Sequence, residues 1–202
     1  MFTSTSAKSA SAVKDGLPIQ AVKLLSQRED YSTCHVCVPG DSHRLAAISL
    51  DGKFYSFLRF VKEASKAIRI LQRLSEKGRQ AVLTPAGRGY AIWGEEPTGT
   101  LATRKGTDTR SISPTFGPAD CWIIGDRQPG FRTCSLKVPD LPDIVPGLAK
   151  GQKLFSLYRR EKDAETTLKL ASRLSQRGDE VVLLTADEGH ALCIYEPGAT
   201  VA

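Results

Sequence analysis

Displaced by 100 residues, the chain aligns with itself without a gap. YSTCHVCVP at 31–39 falls on FRTCSLKVP at 131–139, and KFYSFLRFVKEA at 53–64 on KLFSLYRREKDA at 153–164. RLSEKG at 73–78 falls on RLSQRG at 173–178, and AIWGEEP at 91–97 on ALCIYEP at 191–197. A gapless internal repeat constrains the fold more than any local propensity, because both copies must then build the same elements in the same order. The expected organisation is a tail over 1–18, a first module over 19–98, a linker over 99–118 and a second module over 119–198. The linker reading rests on TGTLATRKGTDTRSISPTFGP, which is polar and rich in Thr, Ser and Gly. Two copies are too few for a solenoid, so two small domains or one pseudo-symmetric pair are expected.

Within a module, STCHVCVP carries β-branched and small apolar residues up to Pro39 and reads as a strand. KFYSFLRFV reads as a second strand. In EASKAIRILQRLSEKG, Ala64, Ala67, Ile68, Leu71 and Leu74 recur at helical spacing, and Gly78 follows as a stop. QAVLTP and YAIWGEE, joined through PAGRG, read as a hairpin. Each module is therefore expected to be β-β-α-β-β, an α+β fold with one helix on one face of a mostly antiparallel sheet. IQAVKLLSQRE at 19–29 reads as either a helix or a strand; its partner CWIIGDRQPG at 121–130 looks like a strand and turn, which favours a strand in both. A helix in the first would give a permuted ferredoxin-like order.

KFYSFLRF at 53–60 resembles the aromatic octapeptide of RNA-recognition-motif domains, with Lys53, Tyr55, Phe57, Leu58 and Phe60 at matching positions and a helix following. The resemblance implies bases stacked on Tyr55 and Phe57, with Lys53 and Arg59 near phosphates. The alternative is a packed central strand. Simple alternation puts Tyr55 and Phe57 on one face and Phe54, Leu58 and Phe60 on the other, and one face would be covered by the sister module. The strand–helix–glycine–strand rhythm is also similar to that of SPOR-like peptidoglycan-binding domains.

Lys62, Lys66, Arg69, Arg73 and Lys77 fall within a helical sector of roughly 80°. One hundred residues on stand Lys162, Thr166, Lys169, Arg173 and Arg177, so four of the five positions stay basic. Exposed helices usually mix signs, and a stripe of one sign points to an anionic partner. Residues 20–98 hold 12 Lys and Arg against 8 Asp and Glu, and residues 120–198 hold 11 against 12. That balance assigns the anionic partner to the first module and to the linker, where Arg104, Lys105 and Arg110 cluster.

Catalytic chemistry finds no support. Cys34 and Cys37 form a C-x-x-C, but Lys137 stands where the second copy would need its second cysteine. Residues three apart on a strand also face opposite ways, so packed cysteines are expected rather than a metal site. His35, His43 and His190 have no ligand spacing, and no phosphate loop or nucleophile elbow occurs. Glu95 and Glu96 precede Pro97 at a strand end and read as boundary residues. Five scattered cysteines fit a reducing, cytoplasmic setting, and MFTSTSAKSASAVKDG has no apolar core of a secretory signal and reads as a disordered tail. The net charge of +6 agrees with an anionic partner. The expectation is a non-catalytic binding protein without cofactor. Its partner is nucleic acid or an acidic protein surface, held at Lys53, Tyr55, Phe57, Arg59, the helix stripe, Arg104 and Lys105. The alternative is an adaptor subunit of a larger protein assembly.

Overall fold

The computed structural model describes residues 18–102, 117–126 and 128–202. The tail read over 1–18 and the linker cations Arg104, Lys105 and Arg110 lie in whole or nearly so outside these residues. The architecture is α+β, with two helices on one large and mostly antiparallel sheet.

In the first half the elements are β1 (Val22–Leu24), β2 (Ser32–Cys37), β3 (Leu45–Leu50), β4 (Lys53–Val61), α1 (Ala64–Glu76), β5 (Ala81–Ala86), β6 (Gly89–Glu95) and β7 (Thr100–Leu101). The second half runs β8 (Cys121–Gly125), β9 (Arg132–Lys137), β10 (Val145–Lys150), β11 (Lys153–Glu161), α2 (Ala164–Gln176), β12 (Val181–Ala186), β13 (Gly189–Tyr195) and β14 (Thr200–Val201). From β2 and β9 onward, the bounds of corresponding elements differ by 100 residues throughout.

Each half thus holds three strands more than the β-β-α-β-β order expected. The ambiguous stretch at 19–29 is a strand, β1, closed by a single 3-10 turn at Arg28–Asp30. β3 is the first unexpected hairpin partner. Leu50 pairs Lys53 across a two-residue turn in which Asp51 and Gly52 have φ of +50° and +73°. That is the geometry Asp-Gly favours, because its twist matches that of the flanking strands. β7 occupies the start of the segment read as linker and pairs with β2 through Val36↔Leu101 and Cys37↔Thr100.

The strands form one sheet in the order β14-β9-β10-β11-β13-β12-β8-β1-β5-β6-β4-β3-β2-β7. Among the described residues, only β1–β5 and β8–β12 are parallel pairs. At its centre β1 meets β8 antiparallel through Val22↔Cys121, so the two halves join edge to edge. This joint is short, and the helices secure it: α1 lies over β8 and α2 over β1, side by side on the same face. Beneath them Val22, Leu24, Ile68 and Leu71 share one buried cluster with Cys121, Ile123, Leu168 and Ala171. A core that draws on both halves ties their stability together.

The helices follow their sequence signals. Ala67, Ile68 and Leu71 are buried along α1, and Leu168, Ala171 and Leu174 along α2. Asp163 caps α2 by accepting from the Thr166 N–H at 2.7 Å. Both helices stop in the same way. Gly78 and Gly178 take φ of +69° and +98°, and the N–H of the next residue reaches back to Leu74 O at 3.0 Å and to Leu174 O at 3.1 Å. The left-handed turn costs glycine no Cβ clash. Among the described residues, no helix is long and apolar enough to cross a membrane.

On the face opposite the helices, Leu25, Ile48, Leu50, Tyr55 and Val82 are buried together. The counterpart of this cluster in the second half gathers Trp122, Ile124, Leu148, Phe155 and Val182.

Candidate functional site

The aromatic strand β4 carries a bulge. Phe57 pairs Trp93 but Arg59 pairs Ile92, so Leu58 is an extra residue and the alternation resets after it. Ile92 points into the helix-side core, which places Arg59 on that side. Phe60 now shares the opposite face with Tyr55, Phe57 and Trp93. Simple alternation had separated Phe60 from Tyr55 and Phe57, and the bulge is the physical reason it does not.

On that face Tyr55 is 3% exposed, packed among Leu25, Ile48, Leu50 and Val82. Burial first, then the nearby Glu95, Asp51 and Asp120, raise its phenol well above the usual range. It is covered chiefly by β3 and β5 of its own half rather than by the sister module. Phe57 is 46% exposed, with its ring edge-on to Trp93 at 5.5 Å between centroids, and Phe60 is 45% exposed. Lys53 is engaged locally, donating to Gln80 Oε1 at 2.7 Å and pairing with Glu95 at 3.0 Å. Glu96 accepts from Ser56 Oγ, as Glu196 does from Ser156 Oγ, so these acids close strand ends.

The basic stripe lies on the other side of the molecule. Lys62, Lys66, Arg69, Arg73 and Lys77 are all exposed on or beside α1. Lys62 sits just ahead of the helix and Lys77 forms its C-cap. The sheet therefore separates Phe57 from the stripe, and the sequence-expected site falls into two parts on opposite faces.

The stripe is joined instead by residues the charge balance had set aside. Lys162, Lys169, Arg173 and Arg177 are exposed on or beside α2, and α2 packs against α1. Among the described residues, only Lys169 of these nine cations has an ion pair, with Glu165 at 2.7 Å. The signal was present in the sequence as the second stripe. The net charge of the second module concealed it by averaging over acids elsewhere.

Where α2 crosses β1, the helix layer opens into a groove of about 740 Å³. Leu24, Leu25, Leu83, Leu168 and Tyr90 supply apolar wall. Lys62, Arg88, Lys169, Arg173 and Arg177 surround it, against the single acid Glu165. Burial first, and then the Glu165 carboxylate, raise the Tyr90 phenol, which stays protonated and neutral. At the foot of α2, Ser172 Oγ donates to Leu24 O at 3.0 Å and Gln176 Nε2 to Asp30 Oδ1 at 3.0 Å. These bonds fix the groove floor across the joint between the halves.

A smaller cleft of about 430 Å³ lies at the same joint on the opposite face. Lys23 fills its centre, donating to Pro118 O at 2.6 Å and pairing with Asp120 at 3.0 Å and Asp51 at 3.6 Å. With these contacts Lys23 ties the two halves together.

The described residues contain no group of His, Cys, Asp or Glu able to hold a metal ion. Cys34, Cys37, Cys121, Cys134 and Cys193 are all free thiols. Compared with known proteins, the chain matches no family model, no curated protein and no solved structure.

Proposed function

We propose that the protein is a non-catalytic binding protein that holds nucleic acid on its helix layer. One observation carries this reading: eight exposed Lys and Arg without an ion pair among the described residues stand on two adjoining helices of one face, at Lys62, Lys66, Arg69, Arg73, Lys77, Lys162, Arg173 and Arg177. These cations outnumber the exposed acids of the same two helices, Glu63, Glu76, Asp163 and Glu165, and a surface with that excess attracts a polyanion and releases its counterions on contact. The expectation of a partner that prefers the first module and the linker is widened to both helices. The stacking role that the RNA-recognition-motif resemblance implied for Tyr55 is not carried forward, because that ring is buried.

The test is a titration of the protein against labelled RNA and DNA at several salt concentrations. Logarithmic affinity should fall linearly with logarithmic salt, by about 0.7 per phosphate contact on a single strand and about 0.9 on a duplex. Replacing Arg69, Arg73 and Lys77 by Ala should flatten that slope. Absence of salt-dependent binding to any of these polymers overturns the proposal.

A second reading, the adaptor, draws on the exposed pair Phe57 and Phe60 beside Trp93 on the far face. Exposed aromatic patches of this kind mark protein contacts. Partners that stay bound through nuclease treatment in a pull-down would favour it.

We also propose that the halves are products of a tandem duplication. The common offset of 100 residues in their element bounds supports this, together with the repeated bulge at Leu157/Arg159 in β11.

A further inference from the structure

We infer that the groove between α2 and β1 is a nucleotide pocket, taking one unpaired base of a single strand, or a free mononucleotide, with its phosphate on the basic rim. This rests on the nucleic-acid reading above and gives it a point of specificity.

The argument begins with what the other half lacks. The place equivalent to the groove, 100 residues on, lies between α1 and β8. There Gln72 occupies the space: its Nε2 lies 2.8 Å from where a Cβ on Gly125 would sit, and Thr185 Oγ1 donates to its Oε1 at 3.1 Å. In α2 the corresponding residue is Ser172, whose short side chain leaves the groove open. The hairpin beside the site changes in the same sense. Gly87-Arg88 borders the open groove, whereas Asp187-Glu188 stands at the closed one. Arg88 thus adds a cation at the open groove, where Asp187 and Glu188 add two carboxylates at the closed place.

The lining matches a nucleotide in its two parts. Leu24, Leu83, Leu168 and the neutral Tyr90 ring offer the apolar and aromatic walls on which a planar base is held. Arg88, Arg173 and Arg177 at the rim offer forked donors suited to phosphate oxygens. Gln176 also lines the groove, its Nε2 donating to Asp30 Oδ1 at 3.0 Å and its Oε1 buried without a partner among the described residues. The volume of about 740 Å³ is that of a small-molecule pocket. A paired base within a duplex presents only its edge and cannot enter, so the groove distinguishes single strands from duplexes.

The test uses fluorescence anisotropy on the full chain with three probes: a short unstructured single strand, a blunt duplex of the same sequence, and labelled AMP. Ser172→Gln rebuilds in α2 the side chain that closes the other half, and Arg88→Glu reverses the rim without touching the core. The wild type should prefer the single strand over the duplex by about tenfold, within the range one stacked base supplies. Both variants should abolish that preference. If Ser172→Gln does not fold, the exposed Arg88→Glu carries the comparison. Equal affinity of the wild type for strand and duplex, or a preference unchanged in Arg88→Glu, overturns the groove while leaving the helix layer as the binding surface. If neither polymer binds, the nucleic-acid reading fails. AMP binding that is lost in the variants would then establish the groove as a free-nucleotide site, and its absence would overturn the inference as well.

Discussion

Replacing Tyr55 and Phe57 by Ala, one at a time, separates a structural aromatic from an exposed one on the same strand. Tyr55 is 3% exposed and fills the space enclosed by Leu25, Ile48, Leu50 and Val82. Truncating a ring so enclosed removes its transfer energy and leaves a cavity, a loss of about 3–5 kcal/mol. With a urea slope of about 2 kcal/mol/M, the midpoint should fall by about 1.5–2.5 M. Phe57 keeps roughly half of its ring in water and touches Trp93 only by an edge. Its truncation should cost about 1–2 kcal/mol, from the covered half of the ring and the aromatic pair. The assay is urea unfolding followed by tryptophan fluorescence, beside a binding titration at a temperature where both variants remain folded. Affinity per folded molecule should be unchanged in Tyr55→Ala. A Tyr55→Ala protein that unfolds at the wild-type midpoint but binds single strands more weakly would refute the burial argument.

Because one core spans both halves, variants that keep a single tryptophan, Trp93 in the first half or Trp122 in the second, should unfold at the same urea midpoint; two midpoints would mean independent domains. A thiol reagent should modify the half-buried Cys34, Cys37 and Cys134 in the native protein but reach Cys121 and Cys193 only on unfolding, since both are buried and burial pushes the Cys193 thiol up to about 12. Burial lowers the His190 pKa below its ordinary value of about 6.5, so the unfolded chain binds the proton more readily; native stability should fall as pH drops below about 6.5, and His190→Tyr should remove that component of the melting curve. Gly178→Ala should lower stability by about 1–2 kcal/mol in thermal melts, because Gly178 sits at φ +98° with open space around it, so the cost is one of backbone conformation and not of collision.

Much of this was written locally. The apolar positions Ala67, Ile68 and Leu71 and the stop at Gly78 define α1 without reference to anything distant, because helix bonds and the capping turn lie within a few residues of one another. The hairpin before β4 has its local signal in Asp51-Gly52, with LAAISL ahead of it as the partner strand. The cations of both helices stood in the sequence at fixed spacing. What the tertiary structure alone decided is which of these meet. The edge-to-edge pairing of β1 with β8 brings α1 beside α2 and sets both stripes on the helix side of the sheet, and that pairing links residues about 100 apart in sequence. The bulge at Leu58 re-aims Phe60, and a single inserted residue leaves no local signature in a strand that alternates on either side of it. The groove turns in part on Ser172, where the other half has Gln72. Its consequence appears only when α2 is laid across β1, because a side chain's length matters only once something stands opposite to be filled or left open.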